Sequence, residues 1–182
     1  MKKNILSVLA AFLLMGLATY SQTITLVAEG TKQGKFKGES IKSKFPDKTE
    51  IIGYVQEVII PRDVASGMAT GKRSYQPIII LKESGASSPQ FFQAMSNNEI
   101  LRSVVIDFYK ADASGMEINY YTVTLTNVSV SGYKQFIGPL EYEKFNPVNT
   151  ILYDEIKLTF QKIVVEEKIA KTMAMDDWNL QK

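Results

Sequence analysis

The sequence predicts an all-β domain with barrel-like closure and one short flanking helix. Three observations predict it. Apolar residues recur at every second position in six or so segments rich in Val, Ile, Thr, Tyr and Phe, the period and composition of half-buried strands. Outside the tail, helical spacing occurs in one short stretch that begins at Ser88-Pro89. Two of the longest strand segments change face part-way, the trace of a bulge that bends a strand as a closed barrel requires. The 182 residues suit one domain, and 45% apolar with 22% charged residues fits neither a disordered chain nor a multi-pass membrane protein.

In chain order, Met1-Lys2-Lys3 and the apolar run Ile5 to Leu17 read as a secretory leader over residues 1–21, with cleavage expected between Ser21 and Gln22. Its removal takes two lysines and no acid, so the formal net charge of +2 belongs to the leader. The expected mature protein is neutral, periplasmic or extracellular, without stable membrane insertion and without a nucleic-acid partner. A barrel domain is expected over 22–166. Its first strand is Gln22 to Glu29, alternating Ile24, Leu26 and Ala28 against Thr23, Thr25 and Val27, and Gly30 ends it. Thr31 to Lys48 carries six lysines among Gly34, Gly38 and Pro46 and reads as a solvated basic loop. A phosphate cradle would need Gly-Lys-Ser/Thr opening a helix, which Pro46 and the lack of helical spacing contradict.

Ile51 to Ile60 reads as one strand with Ile52, Tyr54, Val58 and Ile60 on one face. Pro61 closes it, and Arg62 to Arg73, with Gly67 and Gly71, is a second long loop. The run Ile78 to Leu81 predicts a strand covered on both faces, by a helix or by a neighbouring subunit. Ser88 as cap and Pro89 at the first position start a helix to about Met95, stopped by Asn97-Asn98. Val104, Ile106 and Phe108 mark the next strand, and Ala111 to Gly115 a hairpin turn. The chain returns through Glu117 to Tyr133, whose face changes near Asn127. After a loop at Gly138, Pro139 and Pro147, Ile156, Leu158 and Phe160 give way to Ile163 and Val165 in a second bent strand. Residues 167–182, with Ile169 and Met173 at helical spacing, read as a tail or short helix.

The chain has no His and no Cys, which removes imidazole and thiolate catalysis, Cys/His metal sites and disulfides. Carboxylate pairs, a Ser-Lys dyad or an oxygen-ligand metal site remain, and no motif marks one. Asp112 to Gly115 lacks the ligand ladder of a calcium loop. Glu141 with Glu143, and Asp176 with Asp177, read as solvated pairs. The aromatics Phe91, Phe92, Phe108, Tyr109, Tyr120 and Tyr121 read as core rather than as a carbohydrate platform. No catalytic, cofactor-binding or metal-binding residue is expected, and the protein is not expected to be an enzyme.

The segment Thr70-Gly71-Lys72-Arg73, Pro77-Ile78 with Lys82, Ser87-Ser88-Pro89 through Phe91-Phe92 to Ala94, Ile106 with Phe108-Tyr109, Gly115, and Asn119 to Val128 resembles the Hcp family, the haemolysin-coregulated proteins of type VI secretion. Gly38-Glu39-Ser40, Glu50-Ile51 and Glu155 to Ile163 extend the resemblance to roughly residues 24–166. It implies a β-barrel with one flanking helix, a homohexameric ring, and rings that stack into a secreted hollow tube. The implied partners are other copies of the chain, components of the secretion apparatus and effector cargo. The loop from Arg62 to Arg73 lies where the family has its extended stacking loop, so Arg62, Asp63, Thr70, Gly71, Lys72 and Arg73, with Ile79 and Leu81 on the doubly apolar strand, are the expected interface residues. An exported stand-alone binding module of the same fold is the alternative expectation.

Overall fold

The computed structural model describes residues 22–137 and 151–180. Its elements are β1 (Thr23–Gly30), β2 (Gly34–Lys35), β3 (Thr49–Ile51), β4 (Gly53–Val55), β5 (Val58–Ile59), β6 (Ser74–Tyr75), β7 (Ile78–Glu83), helix α1 (Ser88–Ser96), β8 (Ile100–Ala111), β9 (Glu117–Ile137), β10 (Leu152–Glu167), β11 (Thr172–Asp177) and a 3-10 turn over Trp178–Leu180. Among the described residues the fold is mainly β with one α-helix, as the alternation predicts. One antiparallel sheet runs in the order β2-β1-β8-β9-β10-β7-β4, with β3 on β1 and β11 on β10, and β5 and β6 form a separate pair.

The change of face predicted near Asn127 is a kink shared by three strands. The buried residues jump from Leu101 to Val104 on β8, from Leu125 to Val128 on β9 and from Phe160 to Ile163 on β10. Leu101, Val128 and Phe160 lie in one cross-strand row, and Val104, Leu125 and Ile163 in the next. Asn127 sits between the rows at φ 51° and donates from Nδ2 to Gln161 Oε1 at 2.8 Å. Ladder shifts fall on either side, leaving Tyr120 and Ser131 of β9 as extra residues.

The segment expected as one strand over 51–60 is broken. Its first part, β3, pairs with β1, while β4 pairs with β7, and at the joint the Ile52 N–H donates to the Leu81 carbonyl at 2.8 Å. Crossing from one edge to the other reverses the faces, so Ile52 is exposed while Tyr54, expected on the same face, packs on Phe108; Val58 and Ile60 are exposed beyond β4, where the chain has left the main sheet.

The 31–48 loop is not merely solvated. Phe36 and Phe45 are buried, Phe36 edge-to-face on Phe91 at 5.0 Å and Phe45 against Tyr109 at 4.6 Å. Lys42, Lys44 and Lys48 reach Glu50, Glu117 and Asp107 at 3.1, 3.8 and 2.9 Å, which neutralises much of the local charge. Gly38 is required here, because a Cβ would meet the Asp47 backbone at 2.1 Å.

Helix α1 buries Phe91 and Ala94, but Phe92 is exposed and touches Tyr133 from outside, at 5.8 Å between ring centroids. The cap position is Ser87, one residue earlier than predicted, because the Ser88 side chain is engaged by the sheet. The tail expected as loose or helical is a strand: β11 pairs with β10 from Lys162↔Asp177 to Glu167↔Thr172. The loop at Gly138 to Pro147, with Glu141 and Glu143, lies outside the described residues.

Candidate functional site

The loop predicted from Arg62 to Arg73 is the distal part of an arm that leaves the main sheet after β4 and returns at β7. Its base is the β5–β6 ladder, Val58↔Tyr75 and Ile59↔Ser74, continued by the Arg62↔Ala69 bridge. The tip is built by Asp63. Its Oδ1 accepts from the Ala65 and Ser66 amides at 3.1 and 2.7 Å and from Ser66 Oγ at 2.8 Å. The backbone closes from Asp63 N to Met68 O and from Thr70 N to Pro61 O, both 2.9 Å, and Arg62 donates to Gly67 O at 3.0 Å. These bonds hold the Asp63 carboxyl below its usual range, with the Ser66 amide the largest cause. Gly67 supplies the positive φ, 68°, that the tip needs.

Arg62 and Asp63 therefore spend their polar groups on shaping the arm. What the arm presents is apolar: Val58, Ile59 and Ile60 at the base, and Val64 and Met68 at the tip, all exposed. Thr70, Gly71 and Lys72 lie exposed on the returning side, Gly71 packed over Pro61. Arg73 turns inward instead. Its guanidinium grips both oxygens of Asp176, and Tyr75 Oη donates to Asp176 Oδ2 at 2.6 Å. Asp176, predicted to be solvated, thus ties the tail to the arm, and Asp177 accepts from the Asn179 amide at 2.9 Å, capping the 3-10 turn.

Ile79 and Leu81 lie on β7, on the face opposite Ile78 and Ile80. Ile79 is half-buried, but Leu81 is buried within its own chain beside Gly53 of β4, which leaves its side chain little surface to offer a neighbour. Gln22 donates to Tyr120 Oη at 2.5 Å, and Ser21 lies outside the described residues.

A second polar cluster lies inside the fold. Lys82 and Asp154 are both 0% exposed. Lys82 Nζ reaches Glu39 Oε1 at 2.8 Å, Ser88 Oγ at 3.0 Å, the Glu83 carbonyl at 2.5 Å and Asp154 Oδ2 at 3.4 Å. Asp154 accepts from Ser84 Oγ at 2.6 Å, Tyr133 Oη at 2.9 Å, Gln135 Nε2 at 3.0 Å and the Ser88 hydroxyl. Burial alone would push the Asp154 carboxyl up, and these hydrogen bonds outweigh it and hold it below its usual range. Burial first, then the facing Asp154 carboxylate, pushes the Tyr133 phenol up.

Ser88 beside Lys82 has the spacing of a Ser-Lys dyad but not its chemistry. A dyad needs the serine hydroxyl to donate to the lysine nitrogen, whereas the Ser88 hydroxyl donates to Asp154 and accepts from Lys82 Nζ. Glu39 also accepts from the Ser87 amide at 2.8 Å, so the cluster pins the start of α1 to β7 and β10. Asp112 likewise serves its turn, accepting from the Ser114 and Met116 amides at 2.8 and 3.0 Å. Among the described residues no three acidic side chains converge as metal ligands, and no helix is long and apolar enough to cross a membrane.

Residues 26–166 match the family described as "Type VI secretion system effector, Hcp". The chain belongs to the Hcp family. It is 32% identical over 158 residues to the "Major exported protein" of Pseudomonas aeruginosa strain PAO1, covering 82% of this chain and 91% of that one. The fold is similar to that in "Crystal structure of Hcp protein", with a TM-score of 0.77 at 22% identity over 87% of this chain and 100% of that one. It is also similar to "Secreted protein Hcp3 from Pseudomonas aeruginosa", with a TM-score of 0.68 at 25% identity over 87% and 99%. The Hcp match ends at Glu166, so the turn after β10, β11 and the 3-10 turn follow the matched stretch.

Proposed function

We propose that this Hcp protein is a non-enzymatic, ring-forming structural subunit, six copies closing into a ring and rings stacking into a hollow, secreted tube that carries effector cargo. The observation that carries the reading is the family match over 26–166 together with an arm, ordered by its own hydrogen bonds, whose tip offers Val64 and Met68 to solvent. A solvated loop gains nothing by exposing large apolar side chains at a stiffened tip, whereas a contact between copies does. The sheet closes into a barrel in this reading. The support is that the short segment 49–55 hydrogen-bonds to β1 through β3 and to β7 through β4.

Export is part of the proposal: the leader over 1–21 is cut between Ser21 and Gln22, and the mature chain acts outside the cytoplasm, without cofactor or nucleic acid. Electron microscopy of the mature protein tests the reading, with hollow rings expected and featureless single particles contradicting it. The N-terminus recovered from fractionated cells tests export separately. Gln22 is expected, and an intact Met1 in the cytoplasmic fraction would overturn that part alone.

A further inference from the structure

We propose that the C-terminal hairpin is a clamp that sets the direction of the arm, with Asp176 and Trp178 as its positioning residues. The inference rests on the reading of the arm as a stacking element. Among the described residues, the β5–β6 pair has no ladder bond to the main sheet. Side-chain hydrogen bonds leave the arm at Arg73 and Tyr75 and end on one carboxylate, Asp176. The Tyr75 ring sits edge-to-face on Phe160 of β10 at 5.2 Å and on Trp178 at 5.5 Å, so it is held between the sheet and the tail.

The clamp itself is rigidly mounted. Asp176 lies opposite Ile163 in the β10–β11 ladder, and the same β10 residues pair on their other side with β9. Asp177 caps the turn that carries Trp178. A two-pronged guanidinium–carboxylate pair fixes orientation as well as distance, which a single-point contact would not. The structural consequence is a lever: Arg73 and Tyr75 lie at the root of the hairpin whose tip carries Val64 and Met68, so a small rotation there displaces the tip far more. The tail residues involved follow the stretch that the family model matches, 26–166.

Hydrogen exchange on the mature protein, with wild type and variants compared in the same oligomeric state, tests the clamp. Asp176→Ala is expected to speed exchange across residues 58–76 by about tenfold, while β8, β9 and β10 keep wild-type protection. The paired exchange Arg73→Asp with Asp176→Arg is expected to restore most of the protection. In the electron microscope Asp176→Ala is expected to form rings that stack less. Unchanged exchange in the arm, or equal acceleration over the whole sheet, would overturn the clamp. Rings that fail to form in wild type, with the arm protected by Asp176, would overturn the stacking role and leave the clamp standing.

Discussion

At the scale of single residues, the most consequential group is one that alternation cannot assign. Lys82 occupies a core-facing position of β7, in phase with Ile78 and Ile80, and a cation there is tolerated because Asp154, Glu39 and Ser88 converge on it. Removing one partner of a buried ion cluster strands the others, at a cost of about 3–5 kcal/mol. Lys82→Met is therefore expected to lower the unfolding free energy from chemical denaturation by that much, and a loss below about 1 kcal/mol would show that the cluster is not carrying the contact. The pH dependence follows from the same site. Asp154 is held below its ordinary 3.8, so the folded state favours the carboxylate; this stabilisation is complete above that value and is lost as the pH falls through the lower, folded one. The stability gap between wild type and Asp154→Asn is expected to narrow below about pH 4, and a gap constant down to pH 2 would contradict the assignment. Exposed pairs such as Lys42–Glu50 are worth only about 0–1 kcal/mol each, so the loop depends on burial of Phe45 more than on its lysines.

At the scale of elements, strands were legible wherever one face was apolar without interruption, as in Leu26 and Ala28 of β1, Ile106 and Phe108 of β8, or Ile156, Leu158 and Phe160 of β10. Face changes were legible too, although a single strand could not reveal that three neighbours kink at the same level. The failures share a cause: the deciding partner was distant. Residues 51–60 alternate acceptably as one strand, and only pairing to three different strands, β1, β7 and β6, breaks them. Ile169 and Met173 fit a helix, yet the edge of β10 was available and β11 took it. Asp176 read as solvated because Arg73 lies 103 positions away. The kink predicts its own test. Asn127 at φ 51° tolerates a conformation that β-branched residues resist, so Asn127→Val is expected to cost about 1–3 kcal/mol in chemical denaturation, whereas Asn127→Gly keeps the kink. Equal losses for the two would refute the backbone explanation. On β7, Ile79 is half-buried opposite the core face, so Ile79→Asp is expected to keep a cooperative melt but abolish ring formation. Rings that survive it would remove this strand from the interface.

At the scale of the whole molecule, three features combine: a β-sheet with a helix packed on its core, an arm whose strands pair apart from that sheet, and a tail that follows the family-matched stretch and bonds to the arm's root. Without cysteines the chain has no disulfide to brace it, so packing and contact between copies must supply its stability. The sequence resemblance reached the family because its carrying residues recur in order; Lys82 and Ser88 in particular are buried and hydrogen-bonded to one another. The arm's apolar tip was less legible, since Val64 and Met68 stand among polar neighbours and gain meaning only from being held outward. The central claim is self-association into a closed ring, and sedimentation of the mature chain at micromolar concentration tests it most directly. A single species of six times the chain mass is the expected result; a strictly monomeric protein under those conditions would contradict the account.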